Sequence, residues 1–252
     1  MLKYLIEKML NNIRSVIILK ILFQNMNKLK RLKLLNHNKV LLNKLNIEQK
    51  DYYEYYLLKE FNKKYGLNIK DVDTTKIELS EKALKEDVFE YFIKIHFKEL
   101  KELYLNSNQI SKINLLEKIK FEKLVILDLS SNNIVDICIL EKINFKNLKT
   151  LNLSKNDIVD INALEKVDFK QLQLLDLSVN LISDIKVLER VYFKQLQQLN
   201  LYNNQISDIK VLEKVDFKQL QQLNLRNNKI SDIKENSSVI KYLKSKILGF
   251  IY

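Results

Sequence analysis

The most constraining feature of this sequence is a unit of 24 residues that repeats without a gap. The segments that begin at Phe193 and at Phe217 are identical at 16 of their first 18 positions. The same unit recurs upstream and is opened each time by a phenylalanine: Phe97, Phe121, Phe145 and Phe169. A fixed period of this length indicates a stack of similar coils, in which each coil contacts only its neighbours.

The pattern inside the unit predicts one strand followed by one helical return. Leu199 and Leu201 alternate with polar residues, as apolar residues do in a strand with one buried side. The second half of the unit has apolar residues at threefold spacing, which is typical of a short helical or 3-10 segment. A single coil cannot bury its own apolar edge. We therefore expect the six coils of residues 97–236 to stack into an α/β solenoid, with a curved parallel sheet on the concave side and the returns on the convex side.

An asparagine recurs at one position of every coil. The chain turns sharply there, inside the stack, where backbone N–H and C=O groups have no access to water. One amide side chain can bond to both kinds of group, and a buried group without a partner costs about 1–3 kcal/mol. We therefore interpret this row as structural and call it the asparagine ladder: Asn108, Asn132, Asn156, Asn180, Asn204 and Asn228.

Two further rows also have structural interpretations. The phenylalanines are expected to form a spine in the core. Each helical return is preceded by an aspartate, where a side-chain cap is needed: Asp136, Asp160, Asp184, Asp208 and Asp232. A row of glutamates that starts at Glu117 is followed each time by Lys or Arg, which is typical of a solvated charged surface. We expect neither a metal ion nor any other cofactor.

The first 47 residues are predicted to be a basic helical segment, with an amphipathic helix in residues 1–23 and, as one alternative, a degenerate coil in residues 29–40. They carry ten basic side chains and one acidic side chain, and their longest apolar run is Val16–Leu19. A membrane-spanning helix needs about 20 apolar residues, so this apolar run is too short to cross a membrane. A packed leader, weak contact with an anionic membrane and an organelle-targeting leader are the alternatives for it.

Residues 48–96 are predicted to form a helical N-terminal cap that includes an atypical first coil. A helix that ends before Gly66 is indicated by four residues at helical spacing: Tyr53, Leu57, Phe61 and Tyr65. Residues 76–80 read as a strand, and residues 83–95 read as a second helix. Leu79 lies 26 residues before Leu105, so the first coil contains a two-residue insertion.

The last segment, residues 237–252, is predicted to be a C-terminal capping helix. Ser237 is its expected N-cap. The apolar residues expected to cover the last coil are Val239, Ile240, Leu243, Ile247, Leu248 and Phe250. Because the chain has two glycines and no proline, we expect asparagine to take most left-handed turn positions.

Charge and cysteine content limit the choice of partner and compartment. The net charge of +12 is concentrated in the first 47 residues, since residues 97–234 carry 21 basic and 18 acidic side chains. The solenoid is therefore not expected to bind nucleic acid. Cys138 is the only cysteine and is expected to be exposed, so no intrachain disulfide can form. This favours the cytoplasm, and the nucleus is also compatible.

The residues that flank the strand leucines are candidates for partner binding. They should point away from the core and form three rows on the concave side of the sheet. Ile126 and Leu174 are apolar where stacking does not require it, and Tyr and Arg are common in binding hot spots. The predicted binding residues are Tyr104, Ile126, Asp128, Asn152, Leu174, Asp176, Asn200, Tyr202 and Arg226.

The motif L-x-x-L-x-L-x-x-N-x-I, here Leu196 to Ile206, resembles the leucine-rich repeat family over residues 97–234. Its Ile-Ser-Asp-Ile continuation resembles bacterial internalins and intracellular repeat proteins that regulate a serine/threonine phosphatase. Repeats in those families have about 22 residues, so the longer unit here implies two extra residues on the convex return, near Glu213–Phe217. The resemblance implies a curved scaffold that binds other proteins and has no catalytic activity of its own.

Three classes of function follow from these features. The first is a monomeric protein-binding scaffold that regulates an enzyme such as a phosphatase. The second is an adaptor tethered to a membrane or to nucleic acid by residues 1–47. The third, an enzyme, is disfavoured because the sequence has no glycine-rich phosphate loop, no metal-ligand spacing and no nucleophile paired with a histidine.

Overall fold

The computed structural model describes residues 49–215, 218–230 and 234–252. The basic helical segment predicted for residues 1–47 lies outside the described residues, as do Phe217 of the phenylalanine row and Asp232 of the aspartate row. The chain divides into two compact units. The first contains the described residues up to Thr74 together with Lys94–His96, and the second contains Thr75–Ile93 and Phe97–Tyr252.

The main element of the first unit is helix α1 (Gln49–Tyr65). The predicted stop is confirmed, since Gly66 follows the helix at φ +64° and the Leu67 N–H bonds to the Asn62 carbonyl at 2.9 Å. The buried stripe consists of Leu58, Phe61 and Tyr65. The prediction that Tyr53 lies on this stripe is wrong, because at about 100° per residue it points at least about 80° away from these side chains, and it is 54% exposed.

The second unit is an open, curved sheet of eight parallel strands in sequence order. The strands are β1 (Lys76–Glu78), β2 (Glu102–Tyr104), β3 (Ile126–Asp128), β4 (Thr150–Asn152), β5 (Leu174–Asp176), β6 (Gln198–Asn200), β7 (Gln222–Asn224) and β8 (Gly249–Ile251). Short 3-10 helices form five of the returns: Asn114–Lys118, Cys138–Lys142, Asn162–Glu165, Lys186–Glu189 and Lys210–Glu213. Helices α2 (Val88–Lys94) and α3 (Lys234–Lys246) precede and follow this series. The fold is that of a leucine-rich repeat solenoid.

Strand register follows the period of the sequence. From β2 to β7 each residue pairs with the residue 24 positions further along, as Leu127 pairs with Leu151. Ile77 of β1 pairs with Leu103, an offset of 26 that confirms the predicted insertion in the first coil. Leu223 pairs with Phe250 of β8, an offset of 27. The repeating unit therefore sets the sheet, and the irregular coils lie at its two ends.

The core consists of stacked leucine, isoleucine and phenylalanine rows, as predicted. The phenylalanines at 97, 121, 145, 169 and 193 are all buried. Phe121 and Phe145 stack with their ring centroids 6.3 Å apart. Phe92 of α2 lies 6.1 Å from Phe97 and 5.6 Å from Phe121, both edge to face, and so continues the spine into the first coil.

Each ladder asparagine bonds its own coil to the preceding coil. In the case of Asn156, Oδ1 accepts the Ile134 N–H at 3.0 Å. Its Nδ2 donates to the Leu129 and Leu153 carbonyls, both at 3.1 Å. The same pattern recurs from Asn132 to Asn228. These amides therefore satisfy buried backbone groups of both kinds, across two coils.

The left-handed turn position is not the one expected from the sequence. It is the residue before each ladder asparagine, with φ between +52° and +57°: Ser107, Ser131, Lys155, Val179, Asn203 and Asn227. Only two of these six are asparagine, so the expectation that asparagine takes most such positions is wrong. The ladder residue itself must direct its amide into the stack, and the residue before it reverses the chain. Val179 is β-branched and is therefore strained in this conformation.

The charged rows on the return side also bond along the chain or between coils. The Asp136 carboxylate accepts the N–H of Cys138, the first residue of its 3-10 helix, at 2.8 Å, and equivalent bonds occur at Asp160, Asp184 and Asp208. In the row that starts at Glu117, glutamates pair with a basic residue of the next coil, most closely Glu165 with Arg190 at 2.8 Å. These pairs are exposed, so each contributes about 0–1 kcal/mol.

Three boundaries differ from the predictions. Helix α2 begins at Val88 rather than at residue 83, because the N–H groups of Lys82 and Leu84 bond to Asn108 Oδ1 instead of entering a helix. Helix α3 begins at Lys234, so Ser237 is inside it rather than at its N-cap. Residues 249–251 form a strand and not the end of the helix.

Helix α3 nevertheless packs against the last 3-10 helix. Four of its predicted covering residues are buried: Val239, Ile240, Leu243 and Ile247. Leu248 is fully exposed and Phe250 lies in β8, so these two residues were assigned wrongly.

Candidate protein-binding face

The outward residues of the strands form one continuous surface, which we call the sheet face. In β2 to β6 the central leucine is buried, and the residues on either side are half-buried. The register aligns Tyr104, Asp128, Asn152, Asp176 and Asn200 in one row. Ile126 and Leu174 lie in the row beside it, and Tyr202 and Arg226 lie two residues beyond the central row. The nine predicted binding residues therefore share one face.

The central row also has a structural role that the sequence analysis missed. The Asp128 and Asp176 carboxylates each accept the backbone N–H two residues further on, at 2.9 Å. Asn152 and Asn200 make the same bond, at 3.0 and 3.1 Å. Each aspartate also accepts a bond from the asparagine of the next strand. These side chains end the strands, and the recurring Asp or Asn two residues before a turn was the signal for this role.

Near β1, the sheet face is acidic and aromatic. The Tyr104 hydroxyl donates to Glu102 at 3.2 Å, and Lys76 Nζ lies 4.5 Å from the centre of the Tyr104 ring. Burial, and then the neighbouring carboxylate of Glu102, raise the pKa of the Tyr104 phenol. This tyrosine is therefore held in place before any partner arrives.

At the other end, the sheet face carries Tyr202 and Arg226. The Asn227 amide donates to the Tyr202 hydroxyl at 2.9 Å, which orients this half-buried ring. The Arg226 side chain is exposed and has no ionic or hydrogen-bonding partner among the residues that the structure describes. An oriented ring beside a free guanidinium is a typical composition for a protein-binding surface.

A groove runs across β5 to β8 on the sheet face, with a volume of about 340 Å³. Its walls include Leu174, Asp176, Asn200 and Ile251, and two glutamines, Gln198 and Gln222. The two glutamines were not among the predicted binding residues. Ile251 was predicted to lie in the C-terminal capping helix, because β8 lies outside the repeat.

Two carboxyl groups and one thiol outside the sheet face have unusual surroundings. Burial would raise the pKa of Glu86, but bonds from the Ser111 hydroxyl and from the Ser111 and Lys112 N–H groups lower it to about 2. Cys138 is exposed, and its bond to the Asp136 carboxylate, with some burial, raises the pKa of its thiol. Asp136 has a lowered pKa, first because it accepts the Cys138 N–H.

The described residues contain no group of three or more His, Cys, Asp or Glu side chains arranged to hold a metal ion. His96 Nδ1 lies 2.5 Å from the Glu54 carboxylate, and no third ligating group joins them in this part of the chain. In the same residues, no helix combines the length and the apolar character required to cross a bilayer.

Comparison with known proteins supports the same fold. A family model for leucine-rich repeats, which spans two copies, matches residues 98–142 and 194–238. The crystal structure of internalin C2 from Listeria monocytogenes is similar with a TM-score of 0.55 and 20% identity, over 78% of this chain and 92% of that chain.

A leucine-rich repeat protein of Leptospira interrogans is similar with a TM-score of 0.52 and 29% identity, over 64% of this chain and 38% of that chain. This chain therefore corresponds to little more than a third of the Leptospira protein. No curated protein sequence gives a significant match.

Proposed function

We propose that this leucine-rich repeat protein is a non-catalytic scaffold that binds a protein partner on its sheet face. The observation that carries the proposal is the composition of that face. Ile126 and Leu174 remain half-exposed in a row that does not require apolar residues for stacking. Tyr202 and Arg226 stand where three earlier coils have serine. Leucine-rich repeats are in general protein-binding modules, so fold and surface support the same function.

Capture of partners from an extract of the source cells tests this proposal. Tyr202→Ser and Arg226→Ser replace each side chain with the residue that Ser178 already supplies one or two coils away. We expect the captured partners to be lost from the double variant. Lys118→Gln, on the exposed return side, is the matched control and should retain them. An unchanged set of partners in both variants would refute binding on the sheet face.

We further propose that the partner is an enzyme that the scaffold regulates, such as a serine/threonine phosphatase. The Ile-Ser-Asp-Ile form of the repeat supports this class of partner by resemblance. The single cysteine supports an intracellular site of action, in the cytoplasm or the nucleus. The activity of a purified phosphatase catalytic subunit, measured with and without the chain, tests the assignment. No change in rate or substrate preference at saturating chain would exclude it.

The strongly basic composition of residues 1–47 supports an alternative, in which this segment tethers the scaffold to an anionic membrane or to nucleic acid. Co-sedimentation with anionic vesicles and with nucleic acid, comparing the full chain with residues 48–252, separates the two proposals. Salt-sensitive binding that is lost on truncation would favour the tethered adaptor.

A further inference from the structure

We propose that the groove across β5 to β8 binds an extended peptide segment of the partner, through the peptide backbone and one basic side chain. This inference rests on the proposed function and specifies what the sheet face recognises. At a strand spacing of about 4.8 Å, the four strands give the groove a length of about 14 Å. An extended chain rises about 3.3 Å per residue, so the groove fits about four residues.

The groove offers carboxamides that the protein does not use. The side chains of Gln198 and Gln222 make no hydrogen bond within the described part of the chain. Asn224 accepts the Arg226 N–H at 3.1 Å through Oδ1, which leaves its Nδ2 available. An amide side chain carries both donors and acceptors. It can therefore pair with the N–H and the C=O of a peptide bond whatever the peptide's sequence.

The two glutamines are confined to one half of the sheet face. Their row carries Glu102, Ile126 and Thr150 at β2, β3 and β4, none of which has an amide. The row ends at Gly249 in β8, where the absence of a side chain leaves the groove open down to the backbone. A Cβ at Gly249 would lie only 3.0 Å from the Gln221 carbonyl oxygen. Close strand pairing therefore favours glycine at this position, and the glycine keeps the end of the groove free.

The groove also carries one uncompensated negative charge. The Asp176 carboxylate accepts bonds from the Ser178 N–H at 2.9 Å and from Asn200 Nδ2 at 3.1 Å. Among the described residues it has no cationic partner. Both of these bonds come from neutral donors, so the negative charge of the carboxylate is available for an ion pair with a Lys or Arg of the peptide. Leu174 and the half-exposed Ile251 supply apolar contacts at opposite ends of the groove.

The repeats themselves provide variants that preserve the fold. Asp176→Asn removes the charge and keeps the bond from the Ser178 N–H, as Asn152 and Asn200 do at the equivalent positions. It gives up the bond from Asn200 Nδ2, because an amide has one acceptor oxygen. Gln198→Thr combined with Gln222→Thr removes the carboxamides and places at both positions the residue that Thr150 supplies in β4. Lys118→Gln is again the control on the return side.

The experiment selects short random peptides, displayed on phage, against the full-length chain. We expect the selected peptides to share one Lys or Arg. Fluorescence anisotropy with the synthetic peptides should show affinity reduced at least about tenfold by Asp176→Asn and by the double glutamine variant. Affinity should be unchanged by Lys118→Gln. Peptides methylated on their central backbone nitrogens cannot donate hydrogen bonds to the carboxamides. They should bind the unmodified chain as weakly as the unmethylated peptides bind the double glutamine variant.

The peptide proposal is overturned if no peptide is enriched over the double variant. It is also overturned if the selected peptides bind equally well to all variants or after N-methylation. Failure of the proposed scaffold function would give a different result from failure of the peptide proposal. A scaffold that recognises a folded surface would yield no peptide but would still lose its captured partners when Tyr202 and Arg226 are replaced. A chain that does not bind on the sheet face would fail both tests.

Discussion

Replacing Asn156 with alanine should destabilise the protein far more than a typical surface substitution does. Asn156 is 7% exposed, and among the described residues it is the only partner of the Ile134 N–H. The Leu129 and Leu153 carbonyls, to which it also donates, keep a second bond from Asn132 and Asn180 respectively. The Ser154 carbonyl, which it also contacts, keeps a second bond from the Ser131 N–H at 2.8 Å. One buried backbone donor, the Ile134 N–H, is therefore left without a partner, and the Leu129 and Leu153 carbonyls each lose one of two bonds.

The expected loss follows from these changes. The unpaired Ile134 N–H costs about 1–3 kcal/mol and each lost carbonyl bond about 0.5–1.5 kcal/mol, so the range is about 2–6 kcal/mol. Water that enters the space left by the amide should reduce the loss toward the lower end, so we expect about 2–4 kcal/mol. Asn228→Ala is the matched control. Asn228 bonds to the Ile206 N–H, the Leu201 carbonyl and the Leu225 carbonyl in the same way, but it is only half-buried. Water can reach its partners, and a loss of about 1–2 kcal/mol is expected.

Guanidinium unfolding followed by circular dichroism measures the two losses. Native-state hydrogen exchange at the Ile134 N–H shows whether Asn156→Ala opens its own pair of coils first, as nearest-neighbour coupling requires. Equal losses for Asn156→Ala and Asn228→Ala would refute the reasoning. Asn228→Ala also removes the only partner that the Leu225 carbonyl has among the described residues, so the access of water is what makes its loss the smaller one. A loss below about 1 kcal/mol for Asn156→Ala would show that the ladder bonds do not stabilise the stack.

Three further predictions concern single sites outside the ladder. Val179→Asn should raise the free energy of unfolding by about 1 kcal/mol, because asparagine tolerates the left-handed conformation that Asn203 and Asn227 already adopt; a lower midpoint would contradict this. Glu86→Gln should destabilise the protein by about 1–2 kcal/mol at pH 7, and the difference should disappear between pH 4.5 and pH 2. The reason is that the carboxylate's contribution is complete above its ordinary pKa of 4.5 and is lost as the pH falls to its folded pKa of about 2. A difference independent of pH would be inconsistent with that cause. The Cys138 thiol should react with iodoacetamide more slowly than a free cysteine at pH 8, and Asp136→Asn should accelerate the reaction; equal rates would argue against the Asp136 bond.

The repeat period was sufficient to predict the sheet, its register and its core. Strand leucines at a constant spacing have one consistent pairing, because a shift by one residue would turn Leu127 outward. The two-residue insertion before Leu105 was predictable for the same reason, because it changes only the offset between strands β1 and β2. The structural role of the phenylalanine spine was predictable because a large apolar ring that recurs once per coil is expected to be buried in the core.

Features without a period could not be predicted in the same way. Strand β8 comprises three residues that pair with β7 only because α3 delivers Gly249 beside it, and no neighbouring copy of that segment exists for comparison. The left-handed positions were expected to be mostly asparagine, but four of the six residues before the ladder are Ser, Lys or Val, which propensity alone does not select. Tertiary bonding to Asn108 delayed the start of α2 in a stretch that has helical spacing.

The candidate site was predictable as a face but not as a set of residues. Alternation along each strand determines which side chains point outward. It does not show which of them are already bonded, and the Asx-type bonds of Asp128 and Asn152 became visible only in the structure. The glutamines at 198 and 222 gain interest because the sheet brings them beside Gly249 and Asp176, a relation between strands that the repeat pattern does not contain.

The asparagine ladder has a direction. Each amide reaches back to the N–H and C=O groups of the coil before it, so every coil is completed by the one that follows. During synthesis the ribosome adds about 5–20 residues per second, and a 24-residue coil therefore takes about 1–5 s to appear. Loop closure takes far less than a second. The growing chain would thus fold in step with translation, and its most recently finished coil would wait with open backbone groups until the next asparagine leaves the ribosome.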